Sequence, residues 1–235
     1  KDTLWMHADS LKIYTHNIGT DSVYRKVHAF PHVRAYRQDL QAVCDSLVFN
    51  SQDSCMTMYR DPIAWNYNRQ LLGEVMKVYM NDSTVRKAEI IGQALSVEKV
   101  DDKNHYNQVS STRMNAYFND GAMRRADAIG SVKTVFYNTD NKDSVLTELN
   151  YLETDTMRMY MSPTRQLAKI WPCKSVGTMY PITQIPPDKY RLPEFAWFDY
   201  VRPTDKDDVF NWRGKKAGSE LKAVRRREAP VRSFE

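Results

Sequence analysis

Apolar residues alternate with polar ones along most of the chain, in short stretches rich in aromatic and β-branched side chains. Turn clusters such as Asn81-Asp82-Ser83 and Asn119-Asp120-Gly121 break them roughly every 8 to 15 residues. A period of two predicts strands, so the chain reads as all-β. Comparison of the chain with itself finds a recurring two-strand unit. Its first strand is Asp9-Ser10-Leu11-Lys12-Ile13-Tyr14-Thr15, then Glu74-Val75-Met76-Lys77-Val78-Tyr79-Met80, then Asp155-Thr156-Met157-Arg158-Met159-Tyr160-Met161. Asp45-Ser46-Leu47-Val48-Phe49 and Met114-Asn115-Ala116-Tyr117-Phe118 are weaker copies.

Each first strand leads through a polar turn to a second strand centred on Gly or Pro. Those punctuating residues are Pro31, Pro62, Gly92, Gly130 and Pro172, which makes five units. A Gly or Pro in mid-strand weakens a ladder, so its recurrence at one place predicts a repeated bend. Stacked bent units predict two facing sheets. Strand alternation then places Leu11, Ile13, Leu47, Phe49, Met76, Val78, Met114, Ala116, Met157 and Met159 in one inward column, with the small residues Val27, Ala29, Val33, Ala88, Ala94, Ala126 and Val132 opposite. Such a column is either packed core or the wall of a groove for flexible apolar ligands, which methionine suits.

From Pro181 to Pro203, prolines are interspersed with Tyr190, Phe195, Trp197, Phe198 and Tyr200, which predicts an extended segment lying across a sheet and capping its end by aromatic burial. The domain is therefore expected to span residues 3–203. Residues 204–235 read as a charged basic tail, mobile from about 214, with a short helix around Glu220 to Arg227. Within the tail, Arg213 to Arg232 holds eight Lys/Arg against two Glu, a charge of +6 in a chain of net +5, so the remainder sums to −1. No apolar run is long enough for a membrane helix, and the first residues, Lys1-Asp2-Thr3, predict a processed chain or a fragment.

Catalytic chemistry finds little support. The five histidines show no metal-ligand spacing, the eight glycines form no phosphate-cradling loop, and six Asp-Ser pairs fall at strand entries and turns. The expectation is a protein that is not an enzyme and carries no metal or other cofactor. Cys44 and Cys55 flank a polar turn; a disulfide between them and two buried free thiols both stay open, with Cys173 apart.

The repeated strands, together with Ala42-Val43-Cys44-Asp45-Ser46-Leu47, Asp61-Pro62-Ile63-Ala64-Trp65 and Phe195-Ala196-Trp197-Phe198-Asp199-Tyr200-Val201-Arg202-Pro203, resemble the OstA-like, LptA-type family of lipopolysaccharide-transport proteins over roughly residues 3 to 213. The resemblance implies an elongated β-jellyroll with an apolar groove, placed in the periplasm or at the outer membrane. It implies transport of lipopolysaccharide, whose lipid A acyl chains the groove would shield, and this chain would be the C-terminal portion of a longer protein. Open end strands are templates for addition of like jellyroll domains. No nucleic-acid partner is expected. A structural or adhesive β-repeat with a closed core and a glycan-binding module are the other classes, the latter disfavoured by the scatter of Trp5, Trp65, Trp171, Trp197 and Trp212.

Overall fold

The computed structural model describes residues 3–81, 84–140, 145–163 and 167–216. They form a nearly all-β, elongated and strongly curled sheet of sixteen strands. The short strands before the middle of the chain are β1 (Trp5–His7), β2 (Ser10–His16), β3 (Tyr24–Phe30), β4 (Val33–Arg37), β5 (Leu40–Cys44), β6 (Ser46–Asn50), β7 (Cys55–Tyr59), β8 (Ile63–Asn66), β9 (Arg69–Leu72) and β10 (Val75–Asn81). Four long strands follow, β11 (Thr84–Lys99), β12 (Tyr106–Asn119), β13 (Ala122–Thr139) and β14 (Leu146–Met161), and then β15 (Leu167–Cys173) and β16 (Val176–Pro181).

All neighbours pair antiparallel, and the pairings divide into two ladders that share the long strands. The first ladder runs β2-β3-β6-β7-β10 and continues through residues 84–91 of β11, 113–119 of β12, 122–129 of β13 and 156–161 of β14 to β15. The second runs β1-β4-β5-β8-β9 and continues through the other half of each long strand to β16. The geometry is thus one continuous, strongly curled sheet in which the two ladders share the long strands.

The chain passes from one ladder to the other where the sequence places its Gly and Pro punctuation. His32 follows Pro31 at φ 61°, Arg60 and Asp61 precede Pro62 at 61° and 54°, Gly92 and Gln93 lie at 75° and 45°, Gly130 and Ser131 at 82° and 49°, and Lys174 follows Pro172 at 51°. In the long strands the register shifts at these points, between Ile91 and Ala94 and between Ile129 and Val132, which is the signature of a bulge. Glycine is required at two of them by space as well as by φ: a Cβ on Gly92 would run into the Glu74 side chain, and one on Gly130 would lie 2.8 Å from Thr112 Oγ1. Acids at the neighbouring crossings, each just before a strand of the first ladder, hold the bends. Asp9 meets His32 Nδ1 at 2.8 Å, Asp45 accepts from Arg60 at 3.1 Å and Glu74 accepts from Gln93 at 3.1 Å. Two of the Asp-Ser pairs thus serve the bend rather than chemistry.

One apolar cluster takes residues from both ladders, among them Ala29, Leu47, Met76 and Met157 from the first and Val33, Cys44, Ala94, Val109 and Val132 from the second. It defines the inner face of the sheet. The Pro/aromatic segment crosses the opposite, outer face of the second ladder. Phe195, Ala196, Trp197, Phe198 and Val201 pack on Ile63, Trp65, Leu72 and Val97, and Ile185 and Leu192 pack on Val135 and Leu149.

Three glutamines fasten it. Gln41, Gln70 and Gln108 occupy one row of the outer face, the register running Gln41–Trp65–Gln70–Val97–Gln108–Val135. Gln70 donates to Ala196 O (2.9 Å) and accepts from Phe198 N–H (2.7 Å); Gln108 donates to Tyr190 O (2.9 Å) and accepts from Leu192 N–H (2.8 Å). Each side-chain amide thus pairs with the irregular backbone as a neighbouring strand would, through residues n and n+2. Gln41 accepts from Arg202 Nε at 2.8 Å.

Residues 204–216, assigned above to the tail, also lie along the sheet. Val209 is buried, its carbonyl accepts from Arg34 Nε, and Asp208 accepts from Thr204 N–H at 2.9 Å and from Arg213. The remaining tail, with the expected helix at 220–227, lies outside the described residues.

Gln70→Ala or Gln108→Ala leaves a buried N–H and C=O of the crossing segment without partners. Each variant is expected to lose about 1–3 kcal/mol in urea unfolding, with the segment becoming the first site of limited proteolysis.

Candidate functional site: two apolar rows on the inner face

The register aligns the predicted residues in two unbroken rows across the whole first ladder. The row beside the bends is Leu11–Ala29–Leu47–Met58–Met76–Ile90–Met114–Ala128–Met157–Pro172. The row two residues further out is Ile13–Val27–Phe49–Met56–Val78–Ala88–Ala116–Ala126–Met159–Ile170. The small residues Ala29, Val27, Ala88 and Ala126 therefore lie among the large ones inside the same rows, whereas the strand pattern alone sets them opposite. Val33, Ala94 and Val132 do come from the second ladder. Met58, Ile90, Ala128 and Pro172 complete the first row, and Met56 and Ile170 the second.

Burial separates the two rows. Leu47, Met76, Met114 and Met157 are 1–6% exposed and packed with Cys44, Ala94, Val109 and Val132, so the row beside the bends is closed core for most of its length. In the outer row Phe49, Met56, Val78 and Met159 are only partly buried against that core, while Ala116 is buried. At the β2 end the rows open altogether, with Leu11 at 56% and Ile13 at 60% exposure.

A third step outward extends the apolar surface. Met80 pairs with Val85, Phe118 with Met123 and Met161 with Leu167, each just after a register shift. Strand alternation puts Met80, Phe118 and Met161 on the inner face. The M-x-V-x-M, M-x-A-x-F and M-x-M-x-M patterns of β10, β12 and β14 carry this signal. Their partners Val85, Met123 and Leu167 escape the period-two reading because an extra residue, Arg86, Arg124 or Ala168, shifts the alternation.

Among the described residues no group of three or more His, Cys, Asp or Glu side chains is placed to hold a metal ion, and no helix is long and apolar enough to cross a membrane. Two clefts of about 200 and 290 Å³ lie away from the rows, where residues 199–215 meet β5 and its neighbours.

No protein-family model matches the chain, and no curated protein matches it. Among solved structures it is similar to LptH, the LptA homologous periplasmic component of the conserved lipopolysaccharide transport device from Pseudomonas aeruginosa. The two are 12% identical with a TM-score of 0.42, over 61% of this chain and 94% of that one.

The disulfide left open by the sequence is not formed. Cys44, Cys55 and Cys173 are free thiols, Cys44 at the bend inside the shared cluster and Cys55 at the far end of β7, beside the turn from β6. The length of β7 separates them. Burial, and secondarily the charge of Asp45, push the Cys44 thiol from 9.0 up to about 12. Cys44 is therefore expected to resist maleimide labelling until the protein unfolds. The unfolded chain gives up this proton first, so between pH 9.0 and about 12 the folded state loses stability. The slope from this one group is about 1.4 kcal/mol per pH unit. Chemical unfolding across that range, with Cys44→Ala lacking the slope, measures it.

Proposed function

We propose that the chain is a non-catalytic lipid carrier whose inner face shelters acyl chains. The observation that supports this reading is the pair of continuous apolar rows, of which one is packed core and the next is left partly open along the ladder. A structural β-repeat with a packed interior would bury both. In this reading the two ladders are the walls of a jellyroll built from bent two-strand units, and the groove lies between the half-buried row and the tips of the strands. Flexible methionine side chains, Met56, Met80, Met159 and Met161, line it and adapt to chains of different curvature. Each methylene taken out of water contributes about 0.8 kcal/mol, so modest shelter of several acyl chains holds a lipid firmly.

The sequence blocks that resemble LptA-type proteins support lipopolysaccharide as the lipid and the periplasm as the compartment, where the carrier would deliver its cargo to the outer membrane. The end strands support a bridge of like domains. Among the described residues β2 and β15 each pair on one side only, as do β1 and β16, and they carry exposed apolar residues: Ile13 at one end, Ile170, Val176 and Met179 at the other. A jellyroll domain of the same kind could extend either ladder by strand addition.

Depth decides the effect of a charge placed in the rows. Met76→Asp and Met157→Asp put a carboxylate into closed core and are expected to destabilise by several kcal/mol in thermal or urea melts. Val78→Asp and Met159→Asp keep the charge partly solvated, so the variants are expected to fold and to lose photo-crosslinking to lipopolysaccharide. Undiminished crosslinking in a folded Val78→Asp/Met159→Asp double variant would place the lipid elsewhere.

A further inference from the structure

The outer face of the first ladder carries a second pattern, separate from the apolar rows. Tyr79, Lys87, Tyr117, Arg125, Tyr160 and Lys169 stand side by side on six consecutive strands, β10 to β15, so that phenol and cation alternate. The neighbouring row adds Lys77 and Arg158, the latter stacked over Trp171 at 5.3 Å. The C-terminal segment crosses the other ladder and leaves these residues half-buried to exposed. The charge of −1 outside the tail thus conceals a concentrated basic surface.

The two acids of this surface, Glu89 and Asp127, are buried and turned to its service. Lys87 donates to Glu89 at 2.6 Å and Arg113 approaches the same carboxylate at 2.9 Å, while Arg125 donates through two nitrogens to Asp127. Burial acts to raise the Glu89 carboxyl, but the Lys87 hydrogen bond and the Arg113 charge bring it below its ordinary value. Both acids fix cations in place while hidden beneath them. Lys87 lies 5.8 Å from the centre of Tyr79 and 5.7 Å from that of Tyr117, and Arg125 lies 5.0 Å from Tyr117. What remains for a ligand is a line of cations and phenol hydroxyls.

We propose that this face binds a linear acidic glycan running across the strands. Cations on every second strand stand about 9.6 Å apart, twice the strand spacing, so the row offers periodic positive charge to a polymer bearing periodic negative charge. Successive strands rotate by about 20°, and a row spanning six of them winds. A flexible chain follows that path, whereas a flat bilayer touches only a few strands of it. Single-stranded nucleic acid needs open aromatic faces for its bases, and cations already cover those of Tyr79 and Tyr117. The phenol hydroxyls suit a polymer rich in hydroxyl and carboxylate groups. The proposal stands independently of the lipid groove, which uses the opposite side of the same strands.

The test titrates the full chain with polygalacturonate at about 50 mM and about 200 mM salt, with neutral dextran, an oligothymidylate and phosphatidylglycerol vesicles as parallel probes. Polygalacturonate is expected to bind with salt-sensitive affinity, and dextran not at all. Arg158→Glu/Lys169→Glu, two exposed positions without a buried acid to orphan, are expected to weaken binding about tenfold with an unchanged melting temperature. Because the tail is also basic, Arg225→Gln/Arg226→Gln/Arg227→Gln runs beside it and is expected to bind as the parent does. Absence of binding at low salt, equal binding by the face variant, loss confined to the tail variant, or tighter binding of the oligonucleotide or vesicles would each overturn the proposal.

Discussion

The structure depends on turning the strands at the same position on strand after strand. Left-handed backbone at non-glycine residues costs about 1–2 kcal/mol each, and His32, Arg60, Asp61, Gln93, Ser131 and Lys174 all adopt it. The cost is distributed along a line on which each bend braces the next, through Asp9 with His32, Asp45 with Arg60 and Glu74 with Gln93. Where no side chain can fit, glycine takes the place, as at Gly92 and Gly130. A bend out of line would shift one strand by a residue and turn its apolar side outward, so a common line of bends is what keeps the rows continuous.

The two ladders that meet at this line are finished differently on their outer faces. The second is covered by the C-terminal segment, whose side chains bury Trp65, Val97 and Val135, whose backbone is held by Gln70 and Gln108, and whose Arg202 side chain is held by Gln41. It is apolar on both faces. The first carries tyrosines, lysines and arginines on an outer face that the described part of the C-terminal segment does not cross, and apolar rows on its inner face. The packed row beside the bends holds it to its partner.

Burial within the inner face follows distance from the bends. Next to them, residues of both ladders interlock, and Ala29, Ala128 and Met157 are at most 1% exposed. One step further out the side chains of Phe49, Val78 and Met159 touch that core from one side only. A single strand pattern, large apolar residues at every second position, thus serves as core at one position and as accessible surface two residues on.

The strand period, the recurrence of Gly and Pro, and the membership of Leu11, Leu47, Met76, Met114 and Met157 in one row were legible in the sequence, because side-chain alternation and backbone permissiveness are local properties. So was the burial of the Pro/aromatic segment. Which side of the sheet that segment covers was not, since Gln41, Gln70 and Gln108 become a row only when distant strands are set in register. The same holds for the alternation of Tyr79, Lys87, Tyr117, Arg125, Tyr160 and Lys169, which are spread over more than ninety residues of chain and average out in any count of net charge. The sequence by itself determined that strands form and where they bend. Only the tertiary structure decided which apolar row is sealed and which stays open, because exposure depends on how close the other ladder comes, and strand alternation carries no measure of that distance.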